Sequence, residues 1–269
     1  MSPTFLDDLD IVDPTTVEAA GPAYPVAQWL NGDPKLAAAG GVAHTGGLIL
    51  PGKYLDEAVA PAPGWTRTTV AFSSGKSEAV LAAQKPRLAV IRTRFRWFVV
   101  YNGVTTFYPR SGYQAETGMR GHTQALCAVH GFDFPIVVTF KGKASQEFER
   151  LLRDFSQKVQ EAAHRLNGGR VGAGQPRWPR FAFYMRLAPG PHVKVGQKGQ
   201  ESIITPPVLE LPSVITEDYL SKTYVGRDRL QELQQTYHDA ADWAVAWDRP
   251  GAEETAEDHE IEAPVAEPF

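Results

Sequence analysis

Sulfur is nearly missing from this chain: one cysteine, Cys127, and three methionines in 269 residues. A lone thiol excludes an intramolecular disulfide and any zinc site built on paired cysteines. Cys127 therefore reads as a small hydrophobe within a strand. No apolar run approaches bilayer-spanning length; Phe134-Pro135-Ile136-Val137-Val138, for example, has the length of a core strand. The N-terminal segment carries Asp7, Asp8, Asp10 and Asp13 and no basic residue, so a secretory leader is not expected. The expectation is a cytoplasmic protein with no membrane partner.

Catalytic signatures are equally scarce. Ser74-Gly75-Lys76-Ser77 ends like a phosphate-binding loop, but its first glycine would fall at position 70, which is Val70. The seven histidines show no HExxH or other paired-ligand spacing. Gly41-Val42-Ala43-His44-Thr45-Gly46-Gly47 is glycine-rich without a strand–turn–helix setting. Acids are sparse in the strand-rich region, Glu116 and Asp133 being the main ones, which does not support a two-carboxylate hydrolase. No enzymatic activity, cofactor or metal is expected.

What the chain does have is unevenly distributed charge. The first 20 and last 19 residues hold twelve of the 31 acids and none of the 27 Lys and Arg, so residues 21–250 carry a net charge of +8. A basic body between acidic ends points to a polyanionic partner for the body, with ends able to compete for the same surface. The organisation expected is an acidic, disordered segment over residues 1–20, a folded body over 21–249 and a disordered acidic tail over 250–269.

Within the body, residues 25–64 read as short irregular elements. Strands are expected at about 65–72, 87–101, 104–109, 122–129, 134–141, 180–187 and 201–211. Asn102-Gly103 supplies the positive φ angles of a two-residue type I′ hairpin turn, which pairs Phe98 with Phe107 and Trp97 with Tyr108. Phe148, Leu151, Leu152, Phe155, Val159, Ala162 and Leu166 follow helical spacing, with Ser145 as N-cap and Gly168 as terminator. A second helix is expected over about 227–247. The fold class is mainly β with α, an α+β protein; an OB-type, partly open barrel with an inserted long helix and a C-terminal helix is the architecture expected.

The stretch Ile91-Arg92-Thr93-Arg94-Phe95-Arg96-Trp97-Phe98 is the most informative in the body. Strand alternation sends Arg92, Arg94, Arg96 and Phe98 to one face and Thr93, Phe95 and Trp97 to the other. With Phe107 across the hairpin, the first face offers guanidinium groups for phosphates and rings for bases, as sequence-independent binding of single strands requires. Two glycine-punctuated loops add Arg110, Tyr113 and Arg120, and Arg170, Arg177, Trp178 and Arg180. A third adds Lys194 and Lys198. Solvated connectors would have the same composition, and both apolar helix stripes read as core rather than as partner surfaces.

The last residues run Ala-Glu-Glu-Thr-Ala-Glu-Asp-His-Glu-Ile-Glu-Ala-Pro-Val-Ala-Glu-Pro-Phe. This segment resembles the acidic tip of bacterial and phage single-stranded DNA-binding proteins, which ends on a hydrophobic residue pair, commonly Pro-Phe. The resemblance covers about 20 residues, and the acids here are interspersed with Ala, Thr and Ile rather than packed against the tip. It implies that Glu260, Glu262, Glu267, Pro268 and Phe269 contact partner enzymes: a basic rim attracts the acids and a pocket takes the ring. It also implies a protein that coats single-stranded DNA in replication, recombination or repair, alone or as a homo-oligomer. The rivals are a phage or mobile-element adaptor acting through its tail, and an RNA-binding or strand-annealing protein.

Overall fold

A computed structural model of the chain describes residues 24–36, 40–54, 61–71, 77–101, 104–114, 118–166, 178–196 and 202–248. In chain order the strands are β1 (Val26–Leu30), β2 (Gly47–Pro51), β3 (Thr66–Ala71), β4 (Ser77–Ala83), β5 (Arg87–Tyr101), β6 (Val104–Pro109), β7 (Arg120–Val129), β8 (Pro135–Lys141), β9 (Met185–Pro189), β10 (Val193–Val195), β11 (Ser202–Ile204) and β12 (Pro207–Leu209). The helices are α1 (Gly41–Thr45), α2 (Lys143–Leu166), α3 (Glu217–Thr223), α4 (Arg227–Asp239) and α5 (Ala241–Val245), the last followed by a 3-10 turn, Ala246–Asp248.

Ten strands form one sheet in the order β12-β9-β5-β7-β8-β1-β2-β4-β3, with β6 added to the outer half of β5. Its ends, β12 and β3, do not pair with each other, so the described strands form no closed barrel. The protein is a strand-rich α+β structure. Among the described strands only β1 and β8 pair in parallel; β10 and β11 make a separate antiparallel pair.

Helices cover both faces of the sheet. On one, α2 sets Phe148, Leu151, Phe155 and Val159 against Val90, Cys127, Ile136, Val138 and Phe140. The Phe140 and Phe148 rings stack there at 4.0 Å and 11°. On the other, Leu233, Ala240 and Trp243 from α4 and α5 meet Ile91, Leu126, Ala128, Val137 and Phe181. Each face offers apolar side chains at alternate strand positions, so each needs its own cover.

A β-bulge divides β5 into two functional halves. Val90 opposes Cys127 and Arg92 opposes Leu126, leaving Ile91 as the extra residue. From Leu88 to Ile91 both faces of the strand carry apolar side chains; from Arg92 to Arg96 one face is arginine at every second position. The hairpin register is the one the Asn-Gly pair predicts, Phe98 opposite Phe107 and Trp97 opposite Tyr108. The turn residues themselves lie outside the described residues.

Several expectations need correction. Residues 25–64 contain two interior strands, β1 and β2, buried at all five positions each. Strands covered on both faces have no apolar–polar alternation to read. The strand expected over 180–187 starts at Met185, after a 3-10 turn at Arg180–Ala182, and that expected over 201–211 divides into β11 and β12, which belong to different sheets. The α2 helix begins at Lys143, so Ser145 lies inside it, its hydroxyl 2.7 Å from that of Thr123 rather than capping the helix. The helix expected over 227–247 breaks at Ala240, whose φ and ψ are −86° and 20°. The two acidic ends, and Gly168, lie outside the described residues.

Candidate nucleic-acid interface

Alternation along β5 places Arg92, Arg94, Arg96 and Phe98 on the face covered by the C-terminal helices. The expectation that this face is open is corrected: Arg94 is 4% exposed, Arg96 3% and Phe98 8%. Each guanidinium lies over rings. Arg92 sits 3.8 Å from the Tyr237 ring centre and its Nε donates to the Tyr237 carbonyl at 2.6 Å. Arg94 lies 4.4 Å from Trp243 and 4.3 Å from Trp247, and its Nε donates to Gln124 Oε1 at 2.8 Å. Arg96 lies 3.3 Å from Phe107 and 4.1 Å from Trp247. Phe107 comes from the neighbouring strand of the hairpin; Tyr237, Trp243 and Trp247 arrive from a segment 145 or more residues away in sequence, and no local pattern in β5 announces them.

The opposite face of the same strand half is accessible. Phe95 and Trp97 meet edge to face at 4.8 Å, and the Tyr113 ring lies 4.5 Å from Trp97. The Trp97 indole N–H donates to the Arg110 carbonyl at 3.1 Å, which fixes the 110–112 turn against the strand. The Arg110 guanidinium stands 5.3 Å from the Phe95 ring. Tyr113 is 53% exposed, and Arg110 has a side-chain exposure of 68%.

From this cluster a track continues along α2. Glu149 lies 3.9 Å from both Arg110 and Arg153, and one of its oxygens accepts from the Thr123 hydroxyl at 3.2 Å. Arg153 in turn lines a cleft of about 730 Å³ between α2 and residues 178–183, where Phe155, Val159, Trp178 and Arg180 also contribute. The Trp178 carbonyl accepts from Gln160 Nε2 at 2.7 Å, tying the segment to the helix. Eleven residues separate Glu149 from Gln160, which at helical rise is about 16 Å. Arg110 and Tyr113 from one expected loop, and Trp178 and Arg180 from another, are thus brought to one helix.

The remaining sequence candidates fall elsewhere. Arg120 is exposed at the start of β7 opposite Phe98, on the arginine face of the sheet. Lys194 is exposed on β10, in the separate β10–β11 sheet. Arg170, Arg177, Lys198 and the tail residues Glu260, Glu262, Glu267, Pro268 and Phe269 lie outside the described residues. Three contributors were not among the sequence candidates: Phe95 and Trp97, assigned to the face opposite the arginines, and Arg153, which in sequence is only one polar position of a helix. The aromatic density of Phe95-Arg96-Trp97-Phe98 was the available signal for the first two.

Burial pushes the Cys127 thiol far up from its ordinary value, as befits an inert side chain in the core. Among the described residues no group of three or more His, Cys, Asp or Glu is placed to hold a metal ion, and no helix is long and apolar enough to cross a membrane. No family model, curated protein or solved structure matches this chain.

Proposed function

We propose that this protein binds single-stranded DNA with little sequence preference, without catalysing a reaction on it, and recruits replication, recombination or repair enzymes through its acidic tip. The observation that carries this reading is the accessible track along α2, where rings and guanidinium groups are interspersed from Trp97, Tyr113 and Arg110 through Arg153 to Trp178 and Arg180. Rings stack on bases of any identity, and cations follow the phosphates; this pairing is what sequence-tolerant single-strand binding uses. The net charge of +8 over residues 21–250 supports the same partner class. The expected OB-type, partly open barrel belongs to the same proposal, supported by a strand-rich sheet with one long helix packed on it.

An anisotropy titration with labelled oligothymidine tests this reading, repeated across salt and against duplex of the same length. Preference for the single strand with a steep salt dependence is expected. A flat salt response, or equal affinity for duplex, overturns it. Recruitment is tested separately by a host-lysate pull-down comparing the full chain with one lacking Phe269. Retrieval of the same enzymes by both removes the tip from the proposal and leaves DNA binding standing.

A further inference from the structure

The β5–β6 hairpin runs on past the start of β7. The last pair between β5 and β7 is Phe98 with Arg120, so residues 99–101 and 104–106 face each other as a two-stranded arm. Val100 is 44% exposed, Tyr101 76% and Val104 65%, and Thr105 and Thr106 are exposed as well. A two-stranded ribbon with uncovered apolar side chains is marginal in water, and a further strand is what stabilises it. The two end strands of the sheet are guarded against pairing: β3 carries Arg67, and β12 is three residues long and begins with Pro207. Before its Pro109, β6 reads Val-Thr-Thr-Phe-Tyr, with neither a charge nor a proline.

The register fixes which backbone groups of β6 look outward. In a hairpin with a two-residue turn the flanking pair, here Tyr101 and Val104, exchanges both hydrogen bonds, and the pattern alternates from there. Val104, Thr106 and Tyr108 thus turn their N–H and C=O toward β5, while Thr105, Phe107 and Pro109 turn theirs away. Proline has no N–H to give, and it falls in the outward set, where it costs no ladder bond. The outward donors that remain are those of Thr105 and Phe107, two residues apart.

We propose that this edge pairs with the same edge of a second copy of the chain, antiparallel about a two-fold axis at Thr106. Thr105 then lies opposite Phe107 of the second copy and exchanges both hydrogen bonds with it; the symmetric pair does the same, so every outward donor is used. Thr106 meets its own counterpart, and Val104 meets Tyr108 of the second copy, an aliphatic–aromatic cross-strand pair that covers the exposed valine. A two-fold axis sets the residues at its centre against their like, and a charged strand would repel itself there. The neutrality of β6, and the match of Thr105 to Phe107 in its own sequence, single out a second copy as the occupant. The pairing is independent of the single-strand reading, but its consequence rests on that reading. An axis perpendicular to the sheet keeps the Trp97 and Tyr108 face of both copies on the same side, so two open faces join into one longer track.

Sedimentation of the full chain over a concentration series tests the pairing. Wild type should reach twice the chain mass. Thr106→Lys and Thr106→Glu each set like charges opposite one another at the axis, so each alone should remain monomeric, and an equal mixture of the two should restore a dimer holding one of each. Thr106→Cys places its thiol opposite its own counterpart at a non-hydrogen-bonded pair, about 4.5 Å between Cα atoms, and should cross-link to a dimer under mild oxidation. The buried Cys127 offers no competing surface thiol. Thr105→Pro removes an outward donor without adding charge or touching the β5–β6 ladder. It should be monomeric and lose several-fold in affinity for an oligothymidine long enough to cross both faces, but not for a short one. A monomer at every concentration, or a dimer that Thr106→Lys leaves intact, overturns the β6 pairing while the α2 track stands. Should Thr106→Lys not fold, the cross-link of Thr106→Cys decides. Equal affinity of wild type and Thr105→Pro for the long oligomer overturns the joined track. Failure of every form to bind single strands overturns the single-strand reading and leaves the pairing to the sedimentation result.

Discussion

On one face of the outer half of β5, three arginines lie against rings delivered by the C-terminal helices. On the other, two rings lie against an arginine delivered by the 110–112 turn, and solvent reaches both. The ingredients are alike, and burial separates their roles. Arg94 and Arg96, at 4% and 3% exposure, are parts of the core. Arg110, with a side-chain exposure of 68%, is held among the described residues by a long ion pair to Glu149 and by the Phe95 ring. A guanidinium taken out of water needs its ring and hydrogen-bond partners to remain stable, whereas an exposed one exchanges partners at little cost. The closed face therefore contributes stability and the open face contributes binding.

The largest effect expected from this contrast is on folding. Arg94→Ala and Arg96→Ala each remove a desolvated cation–ring contact of about 2 kcal/mol or more and leave a gap between β5 and the C-terminal helices. The double variant should show a clear fall in Tm, while Arg110→Ala leaves Tm nearly unchanged. Thermal melts of these variants read this directly. Equal, small shifts in all of them would erase the distinction between the faces.

Next in size is the loss of a base stack on the open face. Trp97→Ala should weaken oligothymidine binding by roughly 1–3 kcal/mol. Its ring is only partly buried, between Phe95 and Tyr113, so the accompanying loss of stability should be smaller than for the Phe140–Phe148 pair. For either of those core rings, replacement by Ala costs about 3–5 kcal/mol. Titration and melt on the same samples separate the two effects. Undiminished binding by Trp97→Ala would move the site off the α2 face.

The contrast between the faces also explains what could be read from the residues alone. Period-2 alternation and the Asn102-Gly103 pair were sufficient to assign the faces of β5 and the β5–β6 register, because both are local properties of the backbone. Which face is covered is a non-local fact. It depends on Trp243 and Trp247, which in sequence sit on a helix stripe indistinguishable from any other core stripe. The bulge at Ile91 was equally hidden, since no glycine or proline marks it. β1 and β2 escaped notice for the opposite reason: strands buried on both faces lose the alternation that identifies strands. The basic loops were recognised by composition, but their meeting along α2 depended on where that helix lies on the sheet.

Salt dependence sharpens the comparison further. On a single strand each phosphate neutralised contributes about 0.7 to the magnitude of the slope of log affinity against log salt. Arg110→Ala and Arg153→Ala should each flatten that slope by about this amount, and the double variant by about twice as much. Arg96→Gln, a change at a side chain only 3% exposed, should leave the slope unchanged. A slope that responds to Arg96 and ignores Arg110 would place the phosphate path on the other face.

The smallest effect concerns Glu149, the acid between the two track arginines Arg110 and Arg153. Its carboxylate stands 3.9 Å from both Arg110 and Arg153, so it aligns the two cations yet also competes with any phosphate they would hold. With a side-chain exposure of 24% and long ion pairs, its contribution to folding should be small, in the range of about 0–1 kcal/mol for pairs near the surface. Glu149→Gln keeps a side-chain oxygen for the Thr123 hydroxyl and removes the charge. The variant should melt close to wild type and bind oligothymidine about two- to threefold more tightly at low salt. The gain should shrink as salt rises, because screening shortens the reach of the missing charge. Glu147, two residues earlier on the same helix, is the control. Its carboxyl is held below the ordinary range chiefly by its hydrogen bond from Arg150 and also by Lys143, and it pairs with neither track arginine. Glu147→Gln should therefore change DNA affinity less than Glu149→Gln does. If the two substitutions raise affinity equally, the gain reflects net charge on α2, and Arg110 and Arg153 are not the groups that meet the phosphates.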